Sequence, residues 1–277
     1  MRLLVTGGSG FVGSHFINAA QKQGHEVVAL KRIGSQSRVK LDKQPKWIEG
    51  QLDDLSVADM SGFDILIHLA AAGVSPQPAT WEDCYFWNVQ QTMILLEKAI
   101  TAGIDKVVVA GTYAEYGDAG LRYDFIPPDA PLEPSGAYAT SKAAACIAAK
   151  GICKEKKIKL TYLRIFSAFG EGQFEDNLWP SLMKKALAGD NFEMTSGEQI
   201  RDFIAVEDVA KRFVDELDFK GVVAGQPHVK NIGSGCPQTL LSFVQYWWKE
   251  WNASGQLMPG ALPYRDNEVM RFVPQVS

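Results

Sequence analysis

Tyr138 and Lys142 stand four positions apart in "AYATSK", so on a helix they share one face. A phenol with an ordinary pKa of about 10 is a poor proton-transfer catalyst at neutral pH, and an ammonium beside it favours the phenolate. Lowering that pKa by about three units asks for roughly 4 kcal/mol of differential interaction. Upstream, "VVVAGTYAEYG" reads as a strand ending in Thr112, whose hydroxyl can hydrogen-bond a carbonyl oxygen at the C-terminal edge of a parallel sheet. Alone, Tyr-x-x-x-Lys arises by chance in many helices. Its weight comes from Thr112 and from a second motif at the start of the chain.

That motif is "LLVTGGSGFVGSHF", with glycines between a strand and a helix. Gly8, Gly10 and Gly13 read as G-x-G-x-x-G, while Gly7, Gly10 and Gly13 read as G-x-x-G-x-x-G. In either register the glycines allow a tight turn, close approach of backbone to a pyrophosphate and close packing of helix on strand. Unpaired N–H groups at the helix start, where Phe11 and Val12 lie, favour the phosphates. His15, just inside that helix, reads as a packing or capping residue.

One helix length further, "VVALKRIGSQSR" carries Lys31 and Arg32, with Arg38 beyond, where a dinucleotide site usually places a carboxylate for the adenosine ribose. Cations near the end of the second strand accommodate a 2'-phosphate, so NADP (NADPH) is the expected cofactor and NAD the less favoured one. The alternative is that these are solvated surface residues and that NAD binds.

The elements that must position these groups follow the pattern of βαβ units. Strand candidates are "RLLVT", "EVVAL", "KWIE", "DILIHLA", "KVVVAG", "KLTYLRIF" and "HVKNIG", with helices expected over 11–23, 81–102 and 136–155. Right-handed crossovers then give an α/β fold, a Rossmann-type doubly wound parallel sheet covered on both faces. After about residue 170 the alternation loosens. Residues 1–169 are expected to form the dinucleotide-binding domain and 170–277 mostly a smaller substrate-binding lobe, with parts of 203–235 such as "EDVAKRFVDEL" packing back on the sheet. Aromatic-rich "FVQYWWKEW" has helical spacing and reads as lobe packing.

The 277 residues carry a net charge of -4, with 46% hydrophobic and 22% charged residues, so the chain can bury a sizeable core and shows no basic footprint for nucleic acid. Cys84, Cys146, Cys153 and Cys236 form no CxxC pair, and the four histidines at 15, 25, 68 and 228 have no metal-ligand spacing. With no apolar run approaching a membrane span and no leader pattern, a soluble cytoplasmic protein is expected.

In order along the chain, "TGGSGFVGSH", "DILIHLAA", "NVQQT", Thr112 with "YG" at 116 and 117, "YATSK", "LRIFSAFGEG", "RDFIAVEDVA", "NIGSG" and "LPYR" resemble the extended short-chain dehydrogenase/reductase family of nucleotide-sugar epimerases, dehydratases and reductases. The resemblance implies a Thr112–Tyr138–Lys142 triad in which Tyr138 exchanges a proton with a sugar oxygen, Thr112 binds that oxygen, and Lys142 holds the nicotinamide ribose and depresses the tyrosine pKa. It implies cofactor contacts from Leu69, Ala70, Ala71, Asn88 and Phe166. Gln51 and Leu52 fall where the family has an aspartate and an apolar residue against the adenine, and Ser167 replaces a common asparagine. Tyr113, Asn177, Arg201 and Arg265 match positions near the nucleotide-diphosphate sugar, a task that suits the planar guanidinium. Family members usually pair as homodimers through two long helices per subunit, here 81–102 and 136–155.

Three reactions share this frame. Dehydratases of the family carry an acidic pair just after the triad threonine, where this chain has Tyr113 and Ala114, with Glu115 displaced by one. An epimerase keeps one cofactor, commonly NAD, whereas a reductase draws on NADPH. "FEMTSGEQIRDFIAVEDV" and "GTYAEYG" resemble reductases of nucleotide-linked 4-keto-6-deoxyhexoses, so NADPH-dependent reduction at C4 is the expected activity. An NAD-dependent nucleotide-sugar 4-epimerase is the alternative, and a non-catalytic NADP-binding regulator a further one.

Overall fold

The computed structural model describes residues 1–74, 77–266 and 268–276. β1 (Arg2–Thr6), α1 (Phe11–Lys22), β2 (Glu26–Lys31), β3 (Lys46–Glu49) and β4 (Ile65–His68) build the first half of the sheet. Then come α2 (Trp81–Cys84), a π-helical turn over Tyr85–Gln90, α3 (Gln91–Thr101), β5 (Lys106–Thr112), α4 (Ala137–Lys156) and β6 (Lys159–Ile165). The rest comprises β7 (Ala168–Phe169), α5 (Leu178–Ala188), β8 (Phe192–Met194), β9 (Ile200–Arg201), β10 (Ile204–Ala205), α6 (Val206–Asp215), β11 (His228–Ile232), β12 (Gln238–Thr239), α7 (Leu240–Glu250), β13 (Leu257–Pro259) and β14 (Arg271–Phe272).

The main sheet has seven strands in the order β11-β6-β5-β4-β1-β2-β3. Every pairing in it is parallel. Its strands are near-continuous apolar runs because both faces are covered. Leu3, Val5, Val27 and Ala29 pack with Phe16, Ile17, Val209 and Phe213 on the side of α1 and α6. Leu4, Val28, Leu66, Val107 and Val109 pack with Leu95, Leu96, Cys146 and Ala149 on the side of α3 and α4. The strand order reverses beside β1, between β2 and β4, which opens the crevice at the C-terminal edge where ligands of such sheets bind.

Two features differ from the periodicity. The helix expected over 81–102 is interrupted by the π turn, which carries buried Asn88. The region after residue 170 is pinned by pairs two or three residues long, β12-β9-β14 and β13-β8. Its core gathers Leu182, Phe243, Val244 and Trp248 with Phe169, Trp179, Trp247 and Trp251 around them. Among the described residues no helix is long and apolar enough to cross a membrane, and no three His, Cys, Asp or Glu side chains gather to hold a metal ion.

Candidate active site

β1 ends at Thr6, and the chain turns through Gly7, at φ +69°, into α1. A Cβ on Gly7 would lie 2.6 Å from the Ala70 nitrogen, and one on Gly13 would collide with the Gly7 carbonyl. Gly10 caps α1 without a side chain, and the first turn, from Phe11 through Val12, contains no acidic residue. The first N–H groups of the helix therefore meet a concavity that only glycines leave open, which suits a pyrophosphate. Phe11, Val12, Leu69 and Ala71 continue it into a cavity of about 390 Å³. The donor set fits a dinucleotide.

Thr112, Tyr138 and Lys142 line the same cavity. Thr112 is the last residue of β5, and Tyr138 and Lys142 lie in the first turns of α4, so adjacent elements bring the three together. Lys142 Nζ donates to the Ala110 carbonyl at 2.8 Å. Burial lowers the pKa of Lys142, partly offset by the Glu115 carboxylate. Burial also holds the Tyr138 phenol well above the ordinary tyrosine range, with a hydrogen bond to Thr112 pulling the other way. Burial therefore favours the neutral phenol, which lines the cavity. The expected depression of its pKa by Lys142 is not the dominant effect here, because the phenol is buried and the ammonium is spent on Ala110.

Beneath Thr112 lies a buried network. The Glu115 carboxylate, fully buried, accepts from the Thr112 backbone N–H at 2.9 Å and from the Tyr162 hydroxyl at 2.9 Å. Arg164 donates to its other oxygen at 2.7 Å, and also to Tyr116 Oη at 3.0 Å and to the Pro128 carbonyl at 2.8 Å. Tyr116 donates on to Asn231 Oδ1 at 2.6 Å. Burial pushes Tyr116 up to about 12, against the pull of Arg164. For Arg164, burial is the largest single effect and lowers the pKa, but the pulls of Glu115, Tyr116 and Cys146 and the hydrogen bond to Glu115 together outweigh it and raise the guanidinium. Gly111 is required here, since a Cβ would strike the Tyr162 ring and lie 2.8 Å from Glu115 Oε1.

Over residues 3–233 the sequence matches the NAD dependent epimerase/dehydratase family. The chain belongs to that family. A UDP-glucose 4-epimerase of Corynebacterium glutamicum is 28% identical over 265 residues, which cover 88% of this chain and 79% of the relative. Among solved structures, MoeE5 in complex with UDP-glucuronic acid and NAD superposes with a TM-score of 0.81 at 28% identity, covering 100% of this chain and 90% of that one. DesIV, a dTDP-glucose 4,6-dehydratase from Streptomyces venezuelae with NAD bound, gives 0.80 at 25% identity, covering 99% and 88%. This is a chain of the nucleotide-sugar epimerase and dehydratase class.

The other residues expected from the sequence fall into three groups in this family fold. Tyr113, Phe166, Ser167 and Asn177 line the cavity with the triad. Asn177 caps α5 without a side-chain cap bond, so the N-terminus of that eleven-residue helix borders the cavity. Asn88 instead organises the end of β4. It accepts from Ala72 N at 2.7 Å and donates to Ala72 O at 3.0 Å and to Ser141 Oγ at 2.9 Å. Arg201 is held by the C-terminal segment, donating to the Val269 carbonyl at 2.6 Å and approaching Glu268 at 3.4 Å. Burial lowers its pKa, partly offset by Tyr113 and then Glu268. Arg265 stands exposed, away from the cavity lining.

At the adenosine end, Leu52 is buried, and the Gln51 N–H donates to Asp54 at 2.7 Å, leaving the Gln51 side chain exposed. The three cations are not equivalent. Lys31 pairs with Glu49 at 3.0 Å, Arg32 is exposed, and Arg38 stacks on Phe174 with its guanidinium carbon 3.8 Å from the ring centroid.

Several residues of the site escaped sequence reasoning. Glu115 was weighed only as a displaced catalytic acid, and the structure makes it the buried partner of Arg164. Arg164 itself was a visible signal, a charge inside the apolar run "LTYLRIF" that demands a partner. Asp202 in "RDF" is fully buried and accepts from Ser234 N at 2.6 Å and Gly235 N at 2.8 Å, so it builds the "NIGSG" turn. His15 and His68 are structural. His15 Nε2 meets the Glu171 carbonyl at 2.9 Å, and the His68 ring bridges Thr6 and Thr92.

Proposed function

We propose that the protein is an NAD-dependent nucleotide-sugar 4-epimerase. The observation that carries this reading is the convergence of Thr112, Tyr138 and Lys142 on one cavity that begins at the glycine turn and ends at the N-terminus of α5. Relatives named UDP-glucose 4-epimerase, and MoeE5 with NAD and UDP-sugars, support it. The chain's own residues add two points. Lys31, the first cation offered to a 2'-phosphate, is paired with Glu49. Glu115, the one acid near the dehydratase positions, is fully buried against Arg164.

A nicotinamide dinucleotide bound at the glycine turn would supply oxidation and reduction of the sugar carbon. Tyr138 Oη takes the proton of the sugar C4 hydroxyl as that carbon is oxidised and returns it when the carbon is reduced, and Thr112 Oγ1 fixes that oxygen beside it. Lys142, anchored on the Ala110 carbonyl, would hold the nicotinamide ribose of a bound dinucleotide. Asn177 and the N-terminus of α5 hold the diphosphate, where unpaired N–H groups favour negative charge. Phe166, Phe169, Trp179, Phe203 and Phe243 wall the cavity and exclude water from the reacting oxygen. Arg201, the guanidinium expected at the diphosphate, is held by the Val269 carbonyl and Glu268.

Incubation with UDP-, dTDP-, CDP- and GDP-hexoses without added cofactor, followed by proton NMR of the anomeric region, tests the reading. Interconversion of C4 epimers is the expected result. A second reading, NADPH-dependent reduction of a 4-keto-6-deoxy sugar, is favoured by exposed Arg32 at the end of β2. It predicts loss of NADPH absorbance with a 4-keto sugar and no interconversion without cofactor.

A further inference from the structure

Lys31 and Glu49 are the last residues of two neighbouring parallel strands and face each other in register. Their side chains meet at 3.0 Å, and Lys31 Nζ also lies 5.3 Å from the Trp47 ring centroid. Lys31 is 18% exposed against 51% for Glu49, so the cation is anchored and the carboxylate is the group that reaches solvent. These strand ends abut the glycine turn. Gly8 N donates to the Leu30 carbonyl at 3.3 Å, and a Cβ on Gly8 would touch Ala29 and the Trp47 ring. A dinucleotide whose pyrophosphate sits on that turn sets its adenosine ribose beside the end of β2.

We propose that Glu49 selects the cofactor. It is a carboxylate supplied by the third strand where the second strand lacks one. It neutralises Lys31 and turns away a 2'-phosphate while leaving a ribose with free hydroxyls acceptable. The inference rests on reading the glycine turn as a dinucleotide site. Its physics is local: a 2'-phosphate of charge near −2 placed beside Glu49 meets like charge and finds the adjacent ammonium already paired. Arg32, one residue beyond the strand, is exposed and is the cation whose attraction for a 2'-phosphate Glu49 has to outweigh. Arg38 stacks on Phe174 and so ties the 32–38 loop to the 170–174 loop, while its backbone N–H donates to the Ser9 carbonyl and Ser14 Oγ of the glycine turn.

The test is isothermal titration of NAD and NADP into the full chain, freed of carried-over nucleotide, for wild type, Glu49→Gln and Glu49→Gln/Lys31→Gln. Half-exposed Glu49 tolerates the amide without loss of fold. Wild type is expected to bind NAD at least about tenfold tighter than NADP, a difference the Coulomb energy of one close charge can supply. Glu49→Gln should raise NADP affinity by about tenfold with NAD changed less than about threefold, since only the 2'-phosphate senses the charge. The double variant should lose part of that gain, the part that the freed Lys31 ammonium provides, and keep the part that comes from removing the Glu49 charge. A wild type that prefers NADP, or an NAD:NADP ratio unmoved by Glu49→Gln, overturns the role of Glu49 and leaves the dinucleotide site standing. If no variant binds either dinucleotide, the reading of the glycine turn falls and this inference falls with it.

Discussion

At the scale of single residues, the proposed chemistry turns on one phenol at the cavity wall, Tyr138. Tyr138→Phe removes the hydroxyl and almost nothing else, so turnover should drop by about 10²- to 10⁴-fold, the usual worth of a general acid or base. Dinucleotide affinity measured by titration calorimetry should stay near wild type. An equal loss of binding would mean that the variant disturbs the cradle rather than proton transfer. A second consequence concerns the Glu115–Arg164 pair, whose side chains are 0% and 2% exposed. Removing one partner strands a buried charge, and Arg164→Met should destabilise the protein by about 3–5 kcal/mol in a urea denaturation series. The pair replaced together, Glu115→Leu with Arg164→Met, should recover a large part of that loss. If the double variant is as unstable as the single, the network is held by its hydrogen bonds to Tyr116 and Tyr162 rather than by charge.

At the scale of elements, the C-terminal ends of β1, β4 and β5 do the positioning, and His68 is the bolt between them. It ends β4 and is buried, with Nδ1 2.7 Å from Thr6 on β1 and Nε2 2.9 Å from Thr92 on α3. Burial lowers its pKa from 6.5 to about 3, with Lys142 nearby adding to the effect. The folded state therefore refuses a proton that the unfolded chain takes up. The stability this provides is complete above about pH 6.5 and is lost as pH falls towards about 3, reaching a loss of about 2 kcal/mol by pH 5. Melting temperatures followed from pH 7 to pH 4.5 should fall more steeply for wild type than for His68→Gln, which has nothing to titrate. Parallel slopes would place the acid sensitivity elsewhere.

The elements that carry long periodic runs were readable in the sequence, and the ones that close the site were not. "RLLVT", "EVVAL" and "KVVVAG" are buried on both faces, so their apolar runs announce parallel strands, and the glycines of "TGGSGFVG" announce the turn. β9 and β14 are two residues each and pair Arg271 with Ile200 across most of the second half of the chain. No local pattern encodes such a contact. The π turn over Tyr85–Gln90 was hidden for a related reason, because one widened turn leaves helical periodicity nearly intact. At the site, Thr112, Tyr138 and Lys142 were legible from type and spacing. Glu49 was not, because its meaning lies in its register opposite Lys31 on the neighbouring strand.

At the scale of the whole molecule, a parallel sheet presents a cradle at its switch point, and the segment after residue 170 walls the cavity with aromatic rings. Phe203 and Phe243 stack with centroids 4.0 Å apart, and Trp179 and Trp247 meet edge to face at 5.5 Å, so the wall on that side is packed aromatic surface. Such a chamber suits a reaction that oxidises and re-reduces one carbon without exchange with solvent. The most direct test is to run the purified protein with UDP-hexose in D₂O, with no added cofactor, and to examine C4 of the product by NMR and mass spectrometry. The account predicts C4 epimers with no deuterium on that carbon, because only the hydroxyl proton handled by Tyr138 exchanges with water. Deuterium at C4, or conversion that begins only when NADPH is supplied, would contradict it.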